Sequence, residues 1–180
     1  MAYSSTKKKS AGIVQISIGI LTVILVVLII AMMMIVSSIQ GTARIVNYAG
    51  LVRGKTQRIV KLEISGKQED DMIQEIESFI DGLMNGNKEL NLVRLEDSDF
   101  QTKMEELNEY FLMLEQEIMQ VRAYGADKTQ ILSKSEHFFE ICDEATGLAE
   151  VYSQRKASLL SVFEKYITAD IVVLMLLIGY

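Results

Sequence analysis

Hydrophobic residues are concentrated near the two ends of the chain. No charged residue occurs between Ser10 and Ala43, and the 24 positions from Ile13 to Val36 are apolar except for Gln15, Ser17, Gly19 and Thr22. A helix of this length extends ~36 Å, enough to cross a hydrocarbon core of ~30 Å. The pattern predicts a transmembrane helix at 13–37. A cleaved signal peptide is the alternative, but its apolar region normally covers only ~7–15 residues and no A-x-A cleavage site follows.

The second apolar stretch, Ile171 to Tyr180, is only ten residues long. A helix of that length extends ~15 Å, which is too short to span a bilayer. We interpret residues 171–180 as the start of a second transmembrane helix that is truncated where the sequence ends. A membrane-dipping or core-packing tail is the alternative.

The segment between these stretches is divided by glycine and asparagine into four predicted helices, 38–64, 68–84, 98–123 and 127–170. The third shows the clearest heptad stripe, alternating spacings of four and three residues in Phe100, Met104, Leu107, Phe111, Leu114, Ile118 and Val121. Asp97 or Ser98 is suited to cap its start, and Gly125 follows its end. The absence of proline also favours long uninterrupted helices, since ordinary usage is ~5%.

The fourth predicted helix carries a similar row, which consists of Phe138, Cys142, Ala145, Ala149, Tyr152, Lys156, Leu159, Phe163 and Tyr166. This helix is longer than the first, and a break near Thr146-Gly147 would reconcile the two lengths. Alternatively, the later hairpin extends past the earlier one. Residues 85–96 are expected to form a packed loop at the membrane-near end.

These elements predict an all-α, membrane-anchored, up-down-up-down four-helix bundle. Lys7, Lys8 and Lys9 precede the first apolar stretch, so the positive-inside rule places the N-terminus in the cytoplasm. The expected order is a basic cytoplasmic N-terminus (1–12), a transmembrane helix (13–37), an extracytoplasmic domain (38–170) and the truncated second transmembrane helix (171–180). The protein would then lie in the inner (plasma) membrane, in contact with lipid.

Composition argues against several classes of function. One cysteine and one histidine supply neither a disulfide framework nor a Cys/His zinc site, and 24 acidic against 18 basic residues argues against a nucleic-acid binder. His137 lies between Glu136 and Glu140 and is typical of a solvated surface residue, while Cys142 lies in an apolar row and is typical of a core residue. The sequence therefore predicts no catalytic residue, no metal site and no cofactor.

Positive charge is concentrated on the first outer helix. Residues 41–67 carry six cations and one acid, a net charge of +5, whereas residues 68–180 carry 9 cations and 23 acids, a net charge of −14. Two rows follow this helix: Ile45, Ala49, Val52, Thr56 and Ile59, and beside them Val46, Gly50, Arg53, Gln57 and Val60. A partly desolvated Arg53 needs acceptors, and either a bidentate anion or an acid from helix two, three or four would satisfy it.

The stretch from Ala43 to Glu63, ARIVNYAGLVRGKTQRIVKLE, resembles the first-helix motif of the extracytoplasmic sensor domains of nitrate/nitrite sensor histidine kinases and type IV pili methyl-accepting chemotaxis transducers. The pattern N-x-A-G-x-x-R-(M)-x-(S/T)-(Q/Y)-R is matched by Asn47, Ala49, Gly50, Arg53, Thr56, Gln57 and Arg58. Gly54 stands where the motif usually has methionine. The resemblance implies ligand binding by Arg53, with Gly50, Asn47 and Gln57 nearby, at the interface of a homodimer.

We therefore predict the sensory input region of a bacterial transmembrane signal transducer. It would bind a small anionic ligand and pass a helix shift to a histidine kinase, a diguanylate cyclase or a chemoreceptor module. The second row of the first helix has no obvious partner within one bundle, which favours contact between the first helices of two subunits. The alternative is a membrane-tethered adaptor or structural protein without a small-molecule ligand.

Overall fold

The computed structural model describes residues 2–125 and 128–179, with side chains from residue 12 onward. They form four helices, α1 (Ala2–Ile64), α2 (Asp70–Asn85), α3 (Ser98–Tyr124) and α4 (Lys128–Ile178). Over these residues the only bridge between extended segments is the isolated pair Asn87–Leu92. The predicted all-α fold is confirmed. The predicted start of the fourth helix at residue 127 and the last residue, 180, lie outside the described ranges.

The chain divides into two compact units, Gln40–Gln154 and a second that combines Met1–Ile39 with Arg155–Tyr180. The first and last helices both run from one unit into the other without interruption. The break considered near Thr146-Gly147 does not occur, since α4 is helical throughout. Instead, the parts of α1 and α4 within Gln40–Gln154 have similar lengths, which removes the mismatch that the break was meant to explain.

The core of Gln40–Gln154 includes the rows that the heptad spacing predicts, together with one face of α2 for which no row was predicted. The first row of α1, from Ile45 to Ile59, is at most 1% exposed at every position. All seven residues of the α3 stripe are buried, as is the α4 row from Phe138 to Ala149. Leu159 and Tyr166, further along that row, lie in the other unit and are exposed. The heptad interpretation thus holds for the part of α4 that belongs to the bundle.

Helix ends follow the predicted capping residues. The Asp97 side chain accepts a hydrogen bond from the backbone N–H of Phe100 at 3.1 Å, which satisfies one free donor at the start of α3. Gly125 ends the same helix with φ +64°, in the left-handed region that favours glycine.

The loop between α2 and α3 is packed, as predicted. Leu92 and Leu95 are buried in the core, and Asn87 Oδ1 accepts hydrogen bonds from the backbone N–H groups of Glu89 and Leu90. Arg44 donates from Nη1 to the Asn91 carbonyl at 2.9 Å. These contacts attach the loop to the beginning of the bundle part of α1.

The other unit is strongly apolar on its surface. The N-terminal part of α1 is long and apolar enough to cross a membrane, and none of its most apolar window is buried. In α4, Met175, Leu176 and Ile178 are also largely exposed. Because a soluble protein rarely exposes so much contiguous apolar surface, α1 is a candidate membrane span.

Candidate functional site

Arg53 lies at the edge of α1 that faces α4. Its Nη1 forms an ion pair with Oδ1 of Asp143, and its guanidinium carbon lies 4.9 Å from the ring centroid of Phe139. The arginine side chain remains 36% exposed and the aspartate side chain 51% exposed. The pair is therefore a partly solvated contact between α1 and α4.

Gln57 makes the next contact along the same edge. Its Nε2 donates to the backbone carbonyl of Ser135 at 3.0 Å, and Val60, one turn further, is only 2% exposed. The expectation that this row has no partner within a single bundle is wrong. Arg53 and Gln57 of this row both contact residues of α4.

Gly50 also lies on this edge, whereas Asn47 does not. A Cβ atom at Gly50 would meet nothing within 4 Å, so the surface beside Arg53 is open there. Asn47 is exposed and lies roughly 120° around the helix from Arg53, since each residue turns the helix by ~100°. Of the four predicted site residues, the structure brings together Arg53, Gly50 and Gln57.

Asp143 and Phe139 complete the surroundings of Arg53, and sequence reasoning did not find either of them. An acid from helices two to four was expected as one alternative, but nothing in the α4 pattern distinguishes Asp143 from its acidic neighbours Glu140 and Glu144. The choice depends on how α4 is rotated against α1. The spacing of apolar residues within one helix does not reveal how that helix is rotated against its neighbour.

A second ion pair, away from this edge, is more deeply buried. Arg122 on α3 binds both carboxylate oxygens of Glu63, with Nε to Oε2 at 2.9 Å, and also reaches Asp70. Glu63 is 4% exposed. The hydrogen bonds that Arg122 donates to Glu63 and, to a smaller extent, to Asp70 raise the pKa of its guanidinium above the ordinary value. Glu63 is the single acid among the charged residues of 41–67, and this isolation is visible in the sequence. The sequence does not show that its partner is Arg122.

Neither Cys142 nor His137 occupies a site with catalytic geometry. Burial raises the pKa of the Cys142 thiol to about 12. The charge of Arg53 lowers this pKa slightly and that of Asp143 raises it slightly, so the thiol stays protonated near neutral pH. His137 is exposed, 3.1 Å from Glu140, with its ring against Tyr110. Within residues 2–125 and 128–179, no three His, Cys, Asp or Glu side chains are grouped closely enough to hold a metal ion.

The fold belongs to the class of four-helix bundles in which the first and last helices are antiparallel neighbours and both continue into apolar segments. It is similar to the solved ligand-binding domain of the P. aeruginosa nitrate receptor McpN, with a TM-score of 0.56. The likeness covers 61% of this chain and 96% of that one, at 18% sequence identity, and it shows the fold alone. No protein-family model and no curated protein matches the sequence.

Proposed function

We propose that this chain is the sensory input region of a bacterial transmembrane signal transducer, with Arg53 as the contact for a small anion. The observation that carries the proposal is the link between Arg53 and Asp143. That link joins α1 to α4, the two helices that continue into the apolar ends of the chain. The fold shared with the ligand-binding domain of a nitrate receptor supports a sensor over other uses of a helical bundle.

The chemistry of Arg53 suits a planar oxyanion. A guanidinium presents five N–H donors in a rigid fork, and only Nη1 is used by Asp143 in this structure. A nitrate or carboxylate ion can accept two parallel charge-assisted hydrogen bonds from such a fork. The open surface at Gly50 leaves room beside the guanidinium, and Gln57 borders the other side.

Ligand binding at Arg53 would compete with Asp143 for the same positive charge. An anion on the guanidinium weakens the contact between α1 and α4, so it binds better to the state in which α4 has moved away. A ligand shifts such an equilibrium only by this difference in affinity. The displaced helix would transmit the change to a cytoplasmic histidine kinase, diguanylate cyclase or chemoreceptor module.

A homodimer remains part of the proposal, with the contact moved to another face of α1. The row containing Arg53 and Gln57 is occupied by α4, whereas Asn47 and Gly54 are exposed. These two residues are seven positions apart and share a face. Asn47→Cys or Gly54→Cys in a Cys142→Ala background should crosslink between subunits. A cysteine at Gln116, exposed on α3, is the control, and equal crosslinking there would contradict a specific contact.

The proposal places the N-terminus in the cytoplasm and residues 38–170 outside, in the inner membrane. Reporter fusions at Ser10 and Asn87 should report opposite compartments. Cytoplasmic activity of the Asn87 fusion would contradict a sensor of external ligands.

The ligand is tested by thermal unfolding of the full chain in lipid nanodiscs with nitrate, nitrite, sulfate or small carboxylates. We expect at least one of these anions to raise Tm, Arg53→Ala to abolish that rise, and Arg53→Lys to retain part of it because the planar fork is lost. Lys67→Ala, which removes an exposed cation from outside this edge, is the matched control and should respond like the native chain. An equal response of Arg53→Ala would exclude Arg53 as the contact.

The second candidate function is a membrane-tethered adaptor, which the ion pair itself favours because Asp143 already supplies an acceptor for Arg53. In that case none of the anions changes Tm. The Arg53→Ala variant would then lose only the stability of a partly exposed ion pair, up to ~1 kcal/mol.

A further inference from the structure

A groove of about 610 Å³ lies within Gln40–Gln154, between the last turns of the first helix and the first turns of the fourth. Its lining includes Gln57, Arg58, Val60, Lys61, Ile64 and Leu132. Small-molecule sites in proteins commonly have volumes of ~300–1,000 Å³. The groove therefore has room for an organic molecule much larger than a nitrate ion.

The floor of the groove is apolar. Its lining includes three aliphatic side chains, of which Val60 is 2% exposed, Leu132 is 46% exposed and Ile64 is the third. A half-exposed leucine beside other aliphatic side chains leaves surface that an apolar ligand would remove from water. Burying such surface is favourable in rough proportion to its area.

The rim of the groove is positively charged. Arg58 and Lys61 are three positions apart, so they are neighbours on the helix surface, and like charges at this spacing repel each other. Over residues 2–125 and 128–179, neither has an acidic partner and no acid lines the groove. Lys128 adds a further cation nearby, donating from Nζ to the Ile64 carbonyl at 2.6 Å.

Several other basic side chains of the bundle do have an acidic partner. Lys55 pairs with Glu75, Arg122 with Glu63, and Lys134 with Glu117. In a chain of net charge −6, two unpaired neighbouring cations above an apolar floor present a surface complementary to a molecule with one negative end and one hydrocarbon end.

We infer that this groove binds an amphipathic organic acid, whose carboxylate contacts Arg58 and Lys61 while its hydrocarbon part covers Val60, Ile64 and Leu132. Arg53 does not line this groove, and Gln57 is the one residue that borders both the groove and the proposed anion contact. The inference does not depend on anion binding at Arg53.

The test is a calorimetric titration of the full chain in lipid nanodiscs with hexanoate, corrected with empty nanodiscs. Acetate keeps the charge without the hydrocarbon part, and hexanamide keeps the hydrocarbon part without the charge. We expect hexanoate to bind at least tenfold more tightly than either. The double variant Arg58→Gln/Lys61→Gln should weaken hexanoate binding at least tenfold, whereas Lys67→Gln should leave it unchanged. Circular dichroism checks that each variant is folded.

Two further variants separate this site from the proposed anion contact. Leu132→Asn should weaken the binding of hexanoate, and Arg53→Ala should leave it within a factor of two. Equal affinity for the three compounds, or hexanoate binding that survives Arg58→Gln/Lys61→Gln, would overturn the inference. Loss of hexanoate binding in Arg53→Ala alone would also overturn it, because the acid would then bind at Arg53.

Discussion

At the scale of single residues, the ion pairs that Arg53 and Glu63 of α1 form are expected to contribute very different free energies. Arg53 and Asp143 are both substantially exposed, and such pairs typically contribute ~0.2–1 kcal/mol. The contact of Arg53 with Phe139 adds a cation–π attraction of ~0.5–1 kcal/mol. Arg53 is thus available for exchange between Asp143 and another anion, because little stability depends on its present partner.

Glu63→Gln should lower the free energy of unfolding far more than any substitution at Arg53. The buried carboxylate accepts two hydrogen bonds from Arg122, and removing its charge leaves a mostly buried guanidinium with only the exposed Asp70. We expect a loss of ~3 kcal/mol or more in the free energy of unfolding, measured by denaturant titration. Glu75→Gln, which breaks the exposed pair with Lys55, is the control and should cost less than ~1 kcal/mol. Similar losses in the two variants would contradict the assignment of Arg122–Glu63 as a buried pair.

Cys142 should make stability fall at alkaline pH. Its pKa is raised to about 12 in the native state by burial, against ~8.5 in an unfolded chain. Between these values the unfolded state releases the proton while the native state keeps it, so the native state is disfavoured as pH rises. The free energy of unfolding should drop more between pH 8 and pH 10 in the native sequence than in Cys142→Ala. Identical pH profiles would show that the thiol is not buried.

At the scale of elements, replacing each of two glycines with alanine should change stability in opposite directions. Gly86 has φ +81° and ψ +151°, and a Cβ there would lie 3.2 Å from the backbone nitrogen of Arg94. Gly147 lies inside α4, where a Cβ meets nothing within 4 Å. Gly86→Ala should lose ~1–3 kcal/mol of stability, and Gly147→Ala should gain ~0.5–1 kcal/mol from helix propensity. Destabilisation by Gly147→Ala would indicate that another chain covers this surface.

The helices and their buried faces could be predicted from the sequence because both follow from local rules. The α3 stripe and the first row of α1 are set by heptad spacing within one helix, and Asp97 and Gly125 act on neighbouring backbone groups. The partners of Arg53 and Gln57 depend on the rotation and register of α4, and they lie 90 and 78 residues away in sequence. The candidate site was therefore predicted only on its α1 side.

At the scale of the whole molecule, the feature that a transducer needs is continuity between the bundle and the apolar ends of the chain. The first and last helices are uninterrupted from the bundle into the segments where apolar side chains are exposed. In the proposed transducer, a change in the contact between Arg53 and Asp143 would act on these two continuous helices. A transducer requires helices that continue from the bundle into the apolar segments. An adaptor needs only one such helix as a tether.

The most direct test of the central claim is to measure nitrate affinity by calorimetry for the native chain, Asp143→Asn and Arg53→Ala in nanodiscs. If an anion competes with Asp143 for Arg53, removing the aspartate charge should tighten binding about fivefold, corresponding to the ~1 kcal/mol interaction of two charges ~4 Å apart in a solvated site. Arg53→Ala should abolish binding. Unchanged or weaker nitrate affinity in Asp143→Asn, or retained affinity in Arg53→Ala, would contradict the account.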